Sequence, residues 1–513
     1  MKKNLILLLA CGIMVCSSAI RAEGGAGANT PQKSEISYSP EDWEIKNIPA
    51  SNNKDKTIYI FTEQAQVLTF VIKTAPANIR KKSKIKLEFL FPAGTEFYGA
   101  KTLKVQKYNC SRTDLADRNE ITVEFESDES ILQDKKEREN EWKNFQAVIK
   151  LPEGCLKQWE LPVKMFVDNH YINTYAWPVN SEKITGRGSK LNSIRLGLWD
   201  YGVSSCDFAA SEIIEFYKAT GINYNQASIG KDKLAKPSVL FGGGTNHALF
   251  YNKDYPDIDC QGKVCEATFC DPQAVINNGA QVVDNGIRIL IENAKNGNGT
   301  ATVDYEPTGD GGFSKISIAA FLNCNKLSME QFEKFRKEYA KSKFLMYKAK
   351  DPAILDIFNK WIAFRSWQTQ EYIGIIAKEL KKRDPDVKFE LTCRLSIGND
   401  DIATRALGNN NGTMTKYLDA IMPQIYCGYD NASTKEAALQ TGKWKHEIQY
   451  LNPACKLYPI LLVRYGGVSV FNSPDRIRQQ TIGAIAEGAD GVVYYYTQQM
   501  DARYWAFVMP PPK

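Results

Sequence analysis

The hydrophobic rhythm of this chain changes once, and that change limits the folds open to it. Before about residue 180, apolar side chains recur at every second position. In KIKLEFLF, Ile85, Leu87, Phe89 and Phe91 alternate with mostly polar neighbours; Ile121, Val123 and Phe125 repeat the pattern, and VLTFVIK and LPVKMFV are further strand-like runs. Period two sends alternate side chains to opposite faces, so each run offers one apolar face that a second layer must cover. Residues 51–180 are therefore expected to form an antiparallel, sandwich-like all-β domain. The charged insertion DKKERENEWK reads as a solvated loop, and no catalytic constellation is visible here.

A polar stretch at 181–191 reads as a linker, and from 192 to 513 strand-like and helix-like runs alternate. Ile373, Ile376, Ala377 and Leu380 have the spacing of one helix face, and Ser473-Pro474-Asp475 is a good helix start. Strands are expected at 194–200, 222–229, 237–242, 300–306, 387–396, 418–426, 457–465 and 490–497. Such alternation implies a parallel sheet covered by helices. Eight βα units over about 320 residues suit a (β/α)8 TIM barrel better than an open doubly wound sheet. The fold class expected is thus α/β, a TIM barrel preceded by an all-β sandwich-like domain. The Gly242-Gly243-Gly244 cluster lacks the lysine and hydroxyl of a phosphate cradle and reads as a loop.

A length of 513 residues also favours two domains over one core. The net charge of +6 is mild over this length, and no basic-aromatic block is present, so a nucleic-acid partner is not expected. Residues 1–22 read as an export signal: Lys2 and Lys3 precede an apolar segment and a small-residue cleavage region. Leu8-Leu9-Ala10-Cys11 also resembles a bacterial lipobox, which implies a lipid anchor at Cys11 as the alternative to plain secretion. Either way the expected location is periplasmic, extracellular or outer-surface, with residues 23–50 as a flexible tether. Membrane contact is expected only through such an anchor, and the chain is expected to be a monomer. Disulfides or buried thiols are the expected roles of the cysteines beyond residue 22, with Cys110 and Cys155 as the natural intradomain pair. The three histidines are far apart in sequence, so neither a metal nor another cofactor is expected.

In a barrel of this kind chemistry sits at the C-terminal ends of the strands. There the chain places Trp199 and Asp200, Asp304 and Glu306, Arg394, Gln424 and Tyr426, Arg464, and Tyr494 to Tyr496. Asp304 and Glu306, two apart, share one face, while Val303 and Tyr305 turn to the helices. Two neighbouring carboxylates repel, one pKa rises, and that group suits an acid near neutral pH. The bland alternative has Asp304 capping the following loop and Glu306 pairing with an arginine such as Arg394. Of the remaining carboxylates, Asp200, Asp400, Asp401, Asp430 and Asp501 are candidates for a second catalytic group.

TATVDYEP at strand four and YLDAIMPQIYCGYD at strand six resemble the (β/α)8 glycoside hydrolases, especially the chitinase-like family 18 superfamily and its unclassified relatives. The resemblance covers roughly residues 300–500. It implies Glu306 as general acid, Asp304 as the residue orienting a substrate acetamido group, and Tyr426 as a second hold on that group, which acts as internal nucleophile. Carbohydrate is then the expected substrate, with Trp199, Asp200, Arg394, Gln424, Asp430, Arg464 and Tyr496 as binding residues. Thr302 stands where the family has an earlier aspartate, and strand eight reads YYYT where chitinases present tryptophan. A non-catalytic glycan-binding protein on a degenerate barrel is the alternative.

Overall fold

The computed structural model describes residues 36–48, 50–52, 55–102, 108–127, 129–136, 143–184, 194–199, 206–225, 250–265, 269–305, 311–393, 411–426, 435–465, 470–495 and 500–508. The signal, lipobox and Gly242–Gly244 expectations lie outside them, as does the expected strand at 237–242.

The period-two part folds as two facing sheets. One contains Trp43–Ile48, Ala65–Thr74, Phe145–Lys150 and Glu96–Thr102, with Gln133–Asp134 beside Ala65–Thr74. The other runs Ile58–Phe61, His170–Glu182, Gln158–Val167, Ser83–Pro92, Arg118–Ser127, Asn109–Asp114. Along Ser83–Pro92 every second residue is buried, as the alternation requires. The two inner faces share one core: Phe70 of the first sheet meets Phe89 and Trp177 of the second at ring distances of 5.4 and 5.7 Å. Full burial of each such ring stabilises by about 1.5–3 kcal/mol. Because Trp43–Ile48 already pairs with Ala65–Thr74, the folded region starts before residue 51, and the expected tether is shorter than 23–50. The strand His170–Glu182 likewise runs into the expected linker.

The second region is a parallel sheet with helices. Strand one is Arg195–Trp199, two Tyr224–Asn225, four Thr300–Tyr305, five Lys388–Cys393, six Ala420–Ile425, seven Lys456–Leu457 continued by Ile460–Leu462, and eight Gly491–Tyr495. Their order across the sheet is two, one, eight, seven, six, five, four, with every pairing parallel. This is the neighbour order of a wound barrel, described up to the positions on either side of the expected strand three. The sheet is strongly curved: Arg195 of strand one reaches Glu390 of strand five across the inner face, at 2.7 and 2.8 Å. At the two ends of the described sheet, the Tyr224 and Thr302 hydroxyls lie 3.1 Å apart.

Helices form where the sequence supplies their ends. Ser473 caps Pro474–Ala486 by accepting from the Arg476 N–H, as expected. Lys435–Leu451 matches the expected helical run, and the helix around Ile373 is longer than its periodic face, spanning Pro352–Arg383 with Asp351 as its cap. Phe61, Ala65 and Val148 of the all-β part join Leu196, Leu198 and Phe216 in one cluster, so the two regions share apolar packing.

The expected disulfide is a correction. Cys110 and Cys155 are not joined, and none of the nine described cysteines takes part in a disulfide. Cys110 lies exposed on the edge strand Asn109–Asp114, whereas Cys155 lies near Ser181 of the strand His170–Glu182. Cys206, Cys260, Cys270, Cys393 and Cys455 are buried thiols, the other half of that expectation.

Candidate functional site

Alternation along the strands sorts the barrel side chains. Ala301, Val303 and Tyr305 pack outward among the helices, as do Ile421 and Ile425 of strand six and Val492 and Tyr494 of strand eight. Thr300, Thr302 and Asp304 therefore face inward, as do Ala420, Met422 and Gln424, with Tyr426 next in the same phase. At the C-terminal ends Trp199, Tyr495 and Tyr426 form an inner aromatic wall. Trp199 and Tyr495 lie 4.7 Å apart between ring centres, and Tyr495 stacks on Tyr426 at 5.5 Å with planes 2° apart. Trp199 is buried, whereas Tyr426 and Tyr495 are half-buried, so the wall has an accessible edge. Asp304 and Gln424, each 8% exposed, lie at this same end of strands four and six. Flat rings beside a carboxylate and an amide can hold a sugar ring by its face and hydroxyls.

Deeper on the inner face of the sheet a charged pair lies among aromatic rings. The Arg195 guanidinium lies between the Tyr224 and Tyr458 rings, at 4.1 and 3.9 Å, and forks onto Glu390. Burial alone would lower the Arg195 pKa, but the Glu390 charge and hydrogen bonds raise it above the ordinary arginine value. Burial, reinforced by Glu390, lifts the Tyr224 phenol well above its usual range. Burial also raises Tyr458, to about 12, against the opposing Arg195 charge. The guanidinium and the carboxylate are thus matched in a bidentate pair that forms a floor to the inner face.

A second polar cluster lies outside strand four, among the segment 250–271 and the helices Lys315–Asn325 and Pro352–Arg383. Tyr305 is held between Phe269, at 5.1 Å, and Tyr372, at 6.3 Å. Asp257 accepts from the Gly312 and Ile258 N–H groups at 2.6 and 3.0 Å. Asp271 accepts from the hydroxyls of Ser314 and Ser317 and from the Gln273 N–H. Gln368 links Ser317 and Gln273, and Arg365 donates to Gln368 at 2.8 Å. Burial raises the Asp257 pKa to about 6, with Arg365 opposing and Asp271 adding to the rise.

Of the residues expected from sequence, Trp199, Asp304, Gln424 and Tyr426 are described, and they stand on the inner side at the strand ends. Glu306, Asp200, Arg394, Asp430 and Tyr496 lie outside the described residues, as do Asp400 and Asp401. For Arg464 only the backbone, in the short strand Arg464–Tyr465, is described. Asp501 is committed elsewhere: it pairs with Arg503 at 2.6 Å, whose guanidinium stacks over Tyr59 of the all-β region at 3.9 Å. Tyr495 belongs to the tyrosine run expected at the end of strand eight but not to the expected binding residues, although its phase with Val493 identifies it as an inward tyrosine. Among the described residues no group of three histidine, cysteine or acidic side chains could hold a metal, and no helix is long and apolar enough to cross a membrane.

No protein-family model and no curated protein matches this chain. Among solved structures it is similar to bee venom hyaluronidase, at 12% identity and a TM-score of 0.36, over 61% of this chain and 95% of that one. It is similar to the β-galactosidase of psychrophilic Marinomonas ef1, at 10% identity and 0.39, over 61% of this chain and 58% of that one. It is also similar to a chitinase of Chromobacterium violaceum ATCC 12472, at 12% identity and 0.28, over 61% of this chain and 98% of that one. At TM-scores below 0.5 these likenesses carry no argument about the site.

Proposed function

We propose that this chain is an exported glycoside hydrolase that cleaves O-glycosidic bonds in a polysaccharide or glycoconjugate, on a closed (β/α)8 barrel. The observation that carries it is the aromatic wall of Trp199, Tyr495 and Tyr426 at the same end of the inner sheet face as Asp304. Glu306, two residues after Asp304 in the sequence, is assigned as the general acid. It gives its proton to the leaving glycosidic oxygen, and Asp304 orients the group that attacks the anomeric carbon. Tyr426 and Gln424 hold the sugar, with Trp199, Asp200, Arg394, Asp430, Arg464 and Tyr496 as the remaining binding positions. Export through residues 1–22, with or without lipidation at Cys11, would bring such an enzyme to its polymer.

The test is Glu306→Gln beside wild type in a hydrolysis and glycan-binding screen. Hydrolysis should fall about 10²–10⁴-fold with sugar binding and folding retained. Hydrolysis that survives the change sinks the assignment of Glu306. Sugar binding without hydrolysis in wild type replaces the enzyme by the glycan-binding alternative.

A further inference from the structure

The helix Pro352–Arg383 is longer than the sheet it covers, and the excess stands beyond the strand ends. Its C-terminal end lies at the start of strands four and five: Lys295 pairs with Asp384, and the Lys388 N–H donates to the Gly299 carbonyl. Tyr372 packs on Tyr305, the last residue of strand four. From Tyr372 to Arg383 the helix rises about 17 Å, the length of that strand. The part from Pro352 to Tyr372 extends about 30 Å further, past the C-terminal strand ends. Its packing divides at the same level. Tyr372 and Ile376 join the strand residues Val303 and Leu391 in one core. Trp361 and Phe364 join Phe321 and Phe332, of the helices Lys315–Asn325 and Met329–Ser342, in another that contains no strand residue among the described residues.

On this overhang Lys360, Ala363, Phe364 and Trp367 share one helix face by their spacing. With Cys324 and Asn325, at the end of Lys315–Asn325, they line an open cavity of about 300 Å³. Trp367 is 41% exposed, although its neighbour Phe364, at a ring distance of 5.8 Å, is buried. Phe364 is braced in turn by Phe321 at 5.4 Å and Trp361 at 5.9 Å, so the indole is backed by a buried aromatic layer and open to solvent. Leaving that much indole in water forgoes apolar burial, which an occupant of the cavity restores. The rim is polar. The Lys360 ammonium pairs with Asp356 at 2.7 Å, which balances its charge. The Asn325 amide nitrogen donates to the Phe321 carbonyl at 3.0 Å, which leaves the amide oxygen to accept. A flat ring beside an amide acceptor and a balanced charge suits a neutral ligand with one apolar face and several hydroxyls, which describes a sugar unit. The cavity lies at the lower limit of small-ligand pockets, too small for a partner's helix.

We propose that the cavity around Trp367 is a glycan-binding subsite, on the outer helix and separate from the inner wall of Trp199, Tyr495 and Tyr426, at the same end of the barrel. Trp367 stacks on the apolar face of a sugar unit, while the Asn325 oxygen and the Lys360 ammonium meet its hydroxyls. The class of ligand rests on the glycoside hydrolase reading: a polymer held at the strand ends gains a second hold on the overhang.

Affinity electrophoresis of the full chain in gels containing glycol chitin, hyaluronan or a soluble β-galactan tests it, with hydrolysis of the same polymers followed in parallel. At least one polymer should retard the wild type. Trp367→Ala should weaken that binding about tenfold, and Trp367→Phe, which keeps a ring, should retain most of it. Ala363→Met fills the cavity and leaves the indole in place, so it should weaken binding as well, and it decides the matter should Trp367→Ala fail to fold. Retardation by none of the polymers, or retardation that neither substitution changes, overturns the subsite. A wild type that binds through Trp367 but cleaves nothing sinks the hydrolase reading and leaves the subsite. One that cleaves a polymer while Trp367→Ala is retarded as strongly sinks the subsite and leaves the hydrolase.

Discussion

Strand four has a polar cluster on each face, and the two are built for different tasks. Inside, Thr302 meets Tyr224 in a floor where Arg195 and Glu390 join strands one and five. Outside, Tyr305 adjoins a cluster in which Asp257, Asp271, Arg365 and Gln368 hold loops to a helix. The floor pairs a guanidinium and a carboxylate at bidentate distance and flanks them with aromatic rings. The outer cluster directs its hydrogen bonds to backbone N–H groups, hydroxyls and amides, and so fixes where chain segments run. One joins strands across the inner face of the sheet; the other ties the segment around Asp257 and the Gly311-Gly312 backbone to a helix.

The comparison breaks most visibly at the floor. Replacing Glu390 by Gln leaves the buried Arg195 charge without its partner and should cost about 3–5 kcal/mol in urea unfolding. Replacing Arg195 and Glu390 together by Met should recover most of that loss, because the penalty belongs to the orphaned charge. On the outer face, Gly312→Ala forces a Cβ toward Arg365 at positive φ; a loss of about 1–3 kcal/mol is expected, accompanied by local loosening. The smallest effect separates the clusters by pH. The folded Asp257 pKa, about 6, lies above its ordinary 3.8, with Asp271 and Arg365 as the charged neighbours. Its contribution to stability is therefore full below the unfolded value and is lost as pH rises through about 6. Asp257→Asn should flatten that slope in thermal melts taken between pH 4 and 7, while the floor variants should leave it in place.

Much of the fold is legible in the chain. The alternation of Ile85, Leu87 and Phe89 declares a sheet buried on one face, and the strand and helix runs after residue 192 declare a parallel sheet with helices. The inward phase of Asp304 and Tyr426 follows from counting by two. The same count, applied to strand eight, selects Tyr495, which the run of three tyrosines conceals. What could not be read were the pairings. Arg195 and Glu390 are 195 residues apart, and nothing local marks either as a partner of the other. Asp257 and Arg365 look like ordinary loop and helix residues until Gly311-Gly312 is seen to run between them. Spacing and export proposed Cys110 with Cys155, but the fold keeps both as thiols.

The sequence by itself determined the change of rhythm along the chain, most of the strands that are described and the face on which Asp304 lies, because these follow from local periodicity and the alternation of side chains. Only the tertiary structure decided which charges meet and which backbone is gripped. Those contacts join residues that are distant along the chain, and winding the sheet is what brings them together.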